Sequence, residues 1–421
     1  MTNRSKKQTR SRKCVESRQS GPSSKNAYLC GKRIRPRPIT RDYTVTDLIE
    51  RAFNAYNAGR VKDACQLVVA KYAAADVTVG MSLAGALTPA GMQSSIIALM
   101  DYGFVDWIVA TGANMYHDMH YALNLPLFEG SPNVDDCALR RAKVTRIYDV
   151  LFDYEEVLME TDRQLRKMLV RPEFQREMGT QEFYHLLGRL LDECERKNRT
   201  GSVSVLAAAY RNGIPVFTSS PGDSTIGMNV AGLELLSDRF KLKINPSIDV
   251  NESTAIILNA KKHEGGKTGV ILVGGGSPKN FMLQTEPQIQ EILRIAEAGQ
   301  DYFIQITDAR VDTGGLSGAT PKEAVTWGKL DPESLETSVI VYADCTIVLP
   351  LVTAYVVQNA RPKKLRRLYD RRAELFARLR QVYFRNFRKN APREMKELED
   401  LLDGNAQTEQ ADAGGDGPAA G

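Results

Sequence analysis

A lysine and a tryptophan near residue 330 have the types and spacing for covalent chemistry. Residues 314–329 read GGLSGATPKEAVTWGK, which places Glu323, Trp327 and Lys329 close together in the chain. A lysine shielded by an indole has a lowered pKa and so presents a free amine. Such an amine can form a Schiff base with a carbonyl or imine carbon, and an aromatic face beside a carboxylate suits a cationic alkylamine. The alternative is a surface lysine next to a packed tryptophan.

Three loops rich in small residues could hold a phosphate or a dinucleotide. They are residues 110–114 (ATGAN), 219–224 (SSPGDS) and 274–276 (GGG), and each follows a short apolar run. Small residues let backbone N–H groups approach an anion, and an aspartate such as Asp223 can accept hydrogen bonds from ribose hydroxyls. None of the loops completes the G-x-G-x-x-G fingerprint, and triple glycine also serves turns. The loops alone indicate a nucleotide-binding α/β fold only in broad terms.

The elements expected to position these residues alternate between strand and helix. Continuous apolar strands separated by helix-length segments predict an α/β fold with a mostly parallel, Rossmann-like sheet and helices on both faces. Ligands of such sheets bind at the carboxyl ends of the strands. The predicted strands are 78–86, 105–111, 214–218, 268–273, 302–306 and 338–342. The predicted helices are 44–59 (with Thr46 as a possible cap), 92–102, 202–210, 253–260 and 286–298.

Charge divides the 421-residue chain unevenly. The first 40 residues contain twelve Lys/Arg and one acid, a charge of +11, so the rest carries −6 of the net +5. We therefore expect a basic disordered arm over 1–40, an α/β domain over 41–361 and a disordered tail over 404–421. Residues 362–403 are expected to form a basic amphipathic helical segment. We interpret it as a packed terminal helix, since its aromatic residues are not interleaved for base stacking; nucleic-acid binding is not expected.

The positions of the cysteines and histidines indicate the redox compartment of the protein and whether a metal could bind. The six cysteines are scattered without a C-x-x-C pair, which favours a reducing compartment and argues against a structural zinc. No apolar run approaches the roughly 20 residues of a membrane span, so a cytoplasmic protein is expected. His117 and His120 would share a helix face beside Asp118, but a metal needs further ligands that we cannot place. No metal site is predicted.

The motif around Lys329 resembles that of deoxyhypusine synthase. The residues EAVTWGK (323–329) are followed by VYAD (341–344) and LPL (349–351), and the match extends upstream through Phe217, Asp223, Gly227, the triple glycine and the Thr111-Gly loop. It covers roughly residues 45–360. The resemblance implies an NAD-dependent homotetramer that transfers a 4-aminobutyl group from spermidine to a lysine of a translation factor. A close plant relative of that family transfers it to putrescine and makes homospermidine.

The resemblance also implies roles for residues, with Lys329 as the catalytic amine. The implied NAD contacts are Gly85, Ala86, Leu87, Thr88, Pro89, Thr111, Gly112, Ala113, His117, Asp223, Asp308, Ala309, Asp344 and Cys345. The implied substrate-binding positions are Tyr116, His117, Met228, Gly275, Asn280, Gly314, Gly315, Leu316, Glu323 and Trp327.

Several of these positions depart from the family pattern. Tyr116-His117 replaces an acidic pair and Met228 replaces an aspartate. Asn280 replaces a histidine, Leu316 an acid and Gln305 a tyrosine. Since the lost carboxylates would neutralise the ammonium ends of a polyamine, we predict a transferase of altered amine specificity. The alternatives are homospermidine-synthase-type activity on small diamines, or a non-catalytic NAD-binding paralogue acting as an oligomeric partner.

Overall fold

The computed structural model describes residue 29 and residues 31–413, with the backbone alone for 404–413. Predictions for residues 1–28, 30 and 414–421, which include most of the basic arm and the end of the tail, lie outside the described residues. The chain divides into two units, the first ending at Asn54 and the second beginning at Ala55. The arm predicted over 1–40 and the domain predicted over 41–361 stay predictions.

The helix predicted over 44–59 is interrupted. Helix α1 (Val45–Asp47) runs into a π-helix, Leu48–Ala52, and the next helix begins at Tyr56. Its cap is Thr44 and not Thr46: the Thr44 hydroxyl accepts from the Asp47 N–H and the Asp47 carboxylate accepts from the Thr44 N–H. The Asn54 side chain donates to the carbonyls of Arg51 and Ala52, competing with helix continuation.

A six-stranded parallel sheet forms the centre of the second unit, which confirms the predicted α/β fold class. Its strand order is β11-β10-β9-β1-β2-β7, and every pairing within it is parallel. The strands are β1 (Val77–Leu83), β2 (Trp107–Ala110), β7 (Val216–Thr218), β9 (Lys267–Val273), β10 (Tyr302–Thr307) and β11 (Val339–Tyr342). All six predicted strands are therefore present, with small shifts at their ends.

Two small sheets were not predicted from the sequence. Strands β3 (Phe128–Glu129), β5 (Val150–Asp153) and β4 (Val144–Ile147) form an antiparallel sheet in that order. Strands β6 (Glu177–Met178) and β8 (Lys243–Ile244) form a parallel pair. Strands this short carry too few residues for a visible alternation of apolar and polar positions.

Helices cover both faces of the central sheet. After α1 they are α2 (Tyr56–Leu67), α3 (Gln93–Asp101), α4 (Gly112–Ala122), α5 (Asp136–Arg141), α6 (Glu160–Leu169), α7 (Thr180–Asn198), α8 (Val205–Asn212), α9 (Thr225–Leu236), α10 (Pro246–Leu258), α11 (Gly276–Leu283), α12 (Thr285–Pro287), α13 (Pro321–Thr326), α14 (Cys345–Asn359), α15 (Arg372–Asn390) and α16 (Pro392–Ala413). Helices α2, α3 and α14 pack together on one side, and α10 packs against α15 on the other.

The core beneath α10, α11 and α15 is built around Trp107. This side chain is fully buried with Val270, Leu272 and Phe303. A Cβ atom on its cross-strand partner Gly80 would lie 2.7 Å from the indole ring, so the position has room for glycine only. The indole thus occupies the space that a side chain on β1 would otherwise fill.

Two helices predicted near the C-terminal half differ from the prediction. The helix expected over 286–298 consists of α12 and a π-helix, Gln288–Ile292, and Arg294 then adopts a left-handed φ of 55°. The basic segment forms α15 only from Arg372, and Leu375 and Leu379 bury its apolar side in the core. Helix α15 therefore packs against the core of the second unit. The predicted tail boundary at 404 falls inside α16, whose last turns are rich in the helix formers Ala, Gln and Glu.

An ion pair holds the chain before α15 in a non-helical path. Lys363 Nζ donates to the carbonyls of Tyr72 (3.2 Å) and Val77 (2.8 Å) and lies 3.7 Å from the buried Asp106 carboxylate. Asp106 also accepts from the Val79 N–H at 2.8 Å. These contacts tie residue 363 to the start of β1 and prevent the helix predicted from 362. None of the described helices is long and apolar enough to cross a membrane.

Candidate functional site

The loops expected to bind a dinucleotide lie at the carboxyl edge of the central sheet. Residues 84–88 follow β1, residues 111–113 follow β2 and begin α4, and residues 219–224 follow β7. Residues 274–276 follow β9 and lead into α11, and residues 308–309 follow β10. Because the strands are parallel, their ends meet at one edge, as the sequence analysis expected.

Direct contacts join these loops. The Thr111 hydroxyl donates to the Gly85 carbonyl at 2.5 Å. A Cβ on Gly112 would collide with the Ser224 side chain, and a Cβ on Gly274 would lie 2.9 Å from that of Ala84. The glycines in these loops therefore allow the loops to pack against one another.

Asn114, which the sequence analysis assigned no role, holds the 85–89 loop against α4. It is fully buried, and its Oδ1 accepts from the N–H groups of Leu87 (2.7 Å) and Thr88 (3.3 Å). Its Nδ2 donates to the Gly85 carbonyl (3.1 Å) and the Thr111 hydroxyl (2.9 Å). One side chain thus binds backbone groups of the 85–89 loop and the Thr111 hydroxyl of the 111–113 loop. An asparagine three residues after Thr111 at a helix start was the available signal.

Lys329 lines a cavity of about 310 Å³ next to α11 and α13. Its Nζ donates to Asn280 Oδ1 at 3.1 Å and lies 5.7 Å from the centre of the Trp327 ring. Desolvation lowers the pKa of the lysine, while the charges of Glu323 and Glu291 oppose that shift. Trp327 is 60% exposed and shields the amine from one side only. The lining is Lys279, Asn280, Leu283, Gln284, Leu316, Ala319, Thr320, Glu323, Ala324, Trp327 and Lys329.

A second lysine in this cavity was missed by the sequence analysis. Lys279 Nζ donates to Gln305 Oε1 (3.0 Å) and to the carbonyls of Leu316 (3.2 Å) and Ala319 (2.6 Å). Burial, reinforced by Lys329, lowers its pKa to about 8, and Glu323 opposes the shift. A glutamine within the apolar strand β10 was the signal that a polar group lies behind it. Because its hydrogen bonds are all used on the protein, Lys279 positions the 316–319 loop.

Gly275 and the glycines at 314–315 lie beside the cavity without lining it. A Cβ on Gly275 would collide with Ser317, so the triple-glycine loop and the 314–317 loop touch through their backbones. Leu316, which replaces a family acid, lines the cavity with its side chain half exposed. The structure therefore brings Asn280, Leu316, Glu323, Trp327 and Lys329 together, as the family resemblance implied.

Tyr116, His117 and Met228 lie outside the Lys329 cavity. Tyr116 is buried and donates to Asp162 Oδ1 at 2.8 Å. His117 is half-buried, and burial lowers its pKa to about 4, so its imidazole is neutral at pH 7. Met228 lies on α9 and is 68% exposed. None of the three lines the Lys329 cavity, so within one chain they do not face the Lys329 amine.

The two α4 histidines bind each other and a threonine. His117 Nδ1 and His120 Nε2 are 3.0 Å apart, and His120 Nδ1 is 2.7 Å from the Thr161 hydroxyl. Asp118 points away from them and accepts from the N–H groups of Val205 and Leu206 at the start of α8. Across the residues that the structure describes, no group of three or more His, Cys, Asp or Glu side chains could hold a metal.

Carboxylates flank the ends of β10 and β11. Asp344 caps α14 by accepting from the Thr346 N–H at 2.8 Å. Burial, followed by the charges of Asp344 and Asp308, raises the pKa of the Cys345 thiol to about 11. Cys345 is therefore a neutral thiol at pH 7, and the two aspartates carry the negative charge at this end of the edge.

The chain is an α/β protein whose parallel sheet has a cavity with a lysine at its carboxyl edge. Sequence comparison identifies its family. The deoxyhypusine synthase domain matches residues 47–356. A deoxyhypusine synthase-like protein of Nostoc punctiforme is 52% identical over 354 residues, 84% of this chain and 90% of the relative. A deoxyhypusine synthase-like protein of Thermosynechococcus vestitus is 52% identical over 353 residues, which cover 83% of this chain and 87% of the relative. A protein of Methanosarcina acetivorans named probable deoxyhypusine synthase 2 is 39% identical over 285 residues, which cover 66% of this chain and 76% of the relative. The chain belongs to the deoxyhypusine synthase family.

Proposed function

We propose that this protein is an NAD-dependent transferase that moves an aminoalkyl group, of the 4-aminobutyl type, from a polyamine to an amine acceptor through an imine on Lys329. The observation that carries the proposal is the setting of Lys329. Its amine is partly desolvated in a cavity. It donates a hydrogen bond to Asn280 Oδ1 at 3.1 Å and lies over the indole face of Trp327. A lowered pKa increases the share of unprotonated amine, which is the nucleophilic form.

Lys329 exchanges one amine for another at a single carbon. Its unprotonated nitrogen adds to the carbon of a protonated imine derived from the donor, and one proton then passes from the lysine nitrogen to the donor nitrogen. The donor amine then departs with its bonding pair, and the aminoalkyl group remains as an imine on Lys329. The acceptor amine adds to the same carbon, and Lys329 leaves as the free amine. Nothing is oxidised or reduced in this exchange.

Glu323 and Trp327 suit the cationic end of the aminoalkyl group. Glu323 lines the cavity of Lys329, and its charge raises the pKa of that lysine, so it lies within electrostatic reach of the amine. A second ammonium group would gain from the same carboxylate and from the indole face. Asn280, in place of a histidine, orients Lys329 by accepting a hydrogen bond from its Nζ.

The candidate cofactor residues fit NAD, which when bound would accept a hydride from the donor carbon and return one to the final imine. Helices α4, α9 and α14 begin with the capping side chains of Thr111, Ser224 and Asp344. Helix α11 begins after Gly275, which offers no side-chain cap. The N–H groups of Gly276 and Ser277, which precede Pro278, are therefore available to a phosphate, and the Asp308 and Asp344 carboxylates could accept from ribose hydroxyls.

Self-association as a homotetramer is part of the proposal. Helix α9 exposes the apolar side chains of Met228, Leu235 and Leu236, which are 68%, 91% and 77% exposed. Residues spaced three, four, seven or eight apart share a helix face, so this is a continuous apolar surface. Contiguous exposed apolar surface supports contact with another protein chain.

Trapping with borohydride tests the proposed chemistry. The protein is incubated with NAD and putrescine, spermidine or agmatine, reduced, digested and analysed by mass spectrometry. We expect an aminoalkyl adduct on Lys329, loss of the adduct in Lys329→Ala and Lys329→Arg, and retention in the matched control Lys322→Ala, an exposed lysine on α13. The absence of an adduct with all three amines, or an adduct that survives Lys329→Ala, overturns the proposal.

A further inference from the structure

A second cavity adjoins that of Lys329 and has been given no role so far. It has a volume of about 390 Å³ and lies between α10 and the 280–292 segment. It shares Asn280 and Gln284 with the first cavity, so these two amides form the wall between them. Because Asn280 accepts from Lys329 Nζ, the reactive amine is held at that wall.

The lining of the second cavity combines polar side chains with the apolar residues Val250, Phe281, Pro287 and Ile292, and it carries one formal charge. Ser219, Ser253, Thr254 and Ser277 contribute hydroxyls, and Gln284 and Gln288 contribute amides. Glu291 contributes a carboxylate, and none of the residues lining this cavity is basic. A cavity of this size suits a small molecule or the end of one. Its single carboxylate among neutral donors and acceptors selects for a cation.

The residue before Glu291 binds, through its side chain, the residue before Lys329. Gln290 Nε2 donates to the Gly328 carbonyl at 2.7 Å. Gly328 has a φ of 64° and touches the Gln290 amide so closely that a Cβ would not fit. Glu291 and Lys329 are each adjacent in sequence to one member of this contact. The Glu291 charge accordingly acts on the lysine amine, as does that of Glu323 in the first cavity.

We propose that the second cavity is a subsite for a second cationic group of the amine substrate, with Glu291 as its counter-charge. The substrate class is then a small alkylamine with two cationic ends, a diamine or an aminoalkylguanidine. One end lies at Glu323 and Trp327, the other at Glu291, and the reacting carbon lies at Lys329 on the wall between them. This inference rests on the proposed function, and it supplies a carboxylate where the family acids at 228 and 316 are absent.

Comparing the affinity of a ligand with two positive charges with that of a ligand with one tests the second subsite apart from the first. Titration calorimetry with putrescine and with butylamine is done on the full chain with NADH, which allows binding and no oxidation of the amine. We expect Glu291→Gln to weaken putrescine at least tenfold, to within about twofold of butylamine on the unaltered protein. Butylamine binding should change less than twofold. Glu129→Gln, which removes an exposed carboxylate that lines neither cavity, should leave both affinities unchanged.

The outcomes distinguish this subsite from the proposed function. If putrescine binds and is lost in Glu323→Gln but not in Glu291→Gln, the second subsite is refuted while the transferase proposal stands. Equal weakening of putrescine and butylamine by Glu291→Gln also refutes it, because the carboxylate then senses no second charge. If neither amine binds the unaltered protein, the inference fails, whereas the proposed function is decided by the borohydride adduct with spermidine or agmatine.

Discussion

Replacement of Glu286 by glutamine should remove a pH-dependent loss of stability. Glu286 is fully buried, and its Oε1 lies 3.8 Å from Lys261 Nζ. That ammonium is shared with Glu297 at 2.7 Å and Asp301 at 3.7 Å. Burial raises the pKa of Glu286 to about 8; Lys261 opposes the shift, and Glu297 and Asp301 add to it.

The sign and size of the effect follow from that pKa. The ordinary value of 4.5 applies to the unfolded chain, so the folded protein keeps a proton there that the unfolded chain loses. The stabilising contribution is fully present below pH 4.5 and is lost as the pH rises through about 8. Each pH unit within this window lowers the free energy of unfolding by about 1.4 kcal/mol. Between pH 5 and pH 8 the loss is therefore about 4 kcal/mol.

Urea unfolding at pH 5, 6.5 and 8, followed by tryptophan fluorescence, measures the effect. Glutamine cannot ionise, so the stability of Glu286→Gln relative to the unaltered protein should rise by about 4 kcal/mol between pH 5 and pH 8. Glu129→Gln, which alters an exposed carboxylate, is the control and should show no such rise. A difference between variant and unaltered protein that stays constant to within about 1 kcal/mol across this range would refute a buried, protonated Glu286.

Two further changes test the cofactor loops and self-association. Asn114→Ala removes the side chain that joins the 85–89 loop to α4, so NAD affinity measured by calorimetry should fall at least tenfold. Unchanged affinity would show that NAD binding does not depend on this contact. Asn133→Ala, in an exposed loop, is the control. Leu235→Glu places a charge on the apolar face of α9, and light scattering should show a smaller assembly; an unaltered mass would exclude this face from the subunit contact.

Much of the fold could be predicted because the strands of a parallel sheet are buried on both faces. Runs such as 269–273 are apolar throughout, and 302–306 is apolar except for Gln305; both lie in strands of the central sheet. The helix predicted over 286–298 failed because apolar periodicity indicates a buried side but not the backbone geometry. There the chain forms a π-helix and then turns at Arg294.

Residue types and their order in the sequence determined the α/β class and the loops at the strand ends, and they singled out Lys329 as the candidate amine, since these depend on local pattern and on motifs. Tertiary structure alone decided which side chains meet. It paired Lys363 with Asp106, placed Lys279 behind Gln305 and turned Tyr116 towards Asp162. These contacts join residues far apart in the chain, and their energies depend on burial and distance, which no local pattern contains.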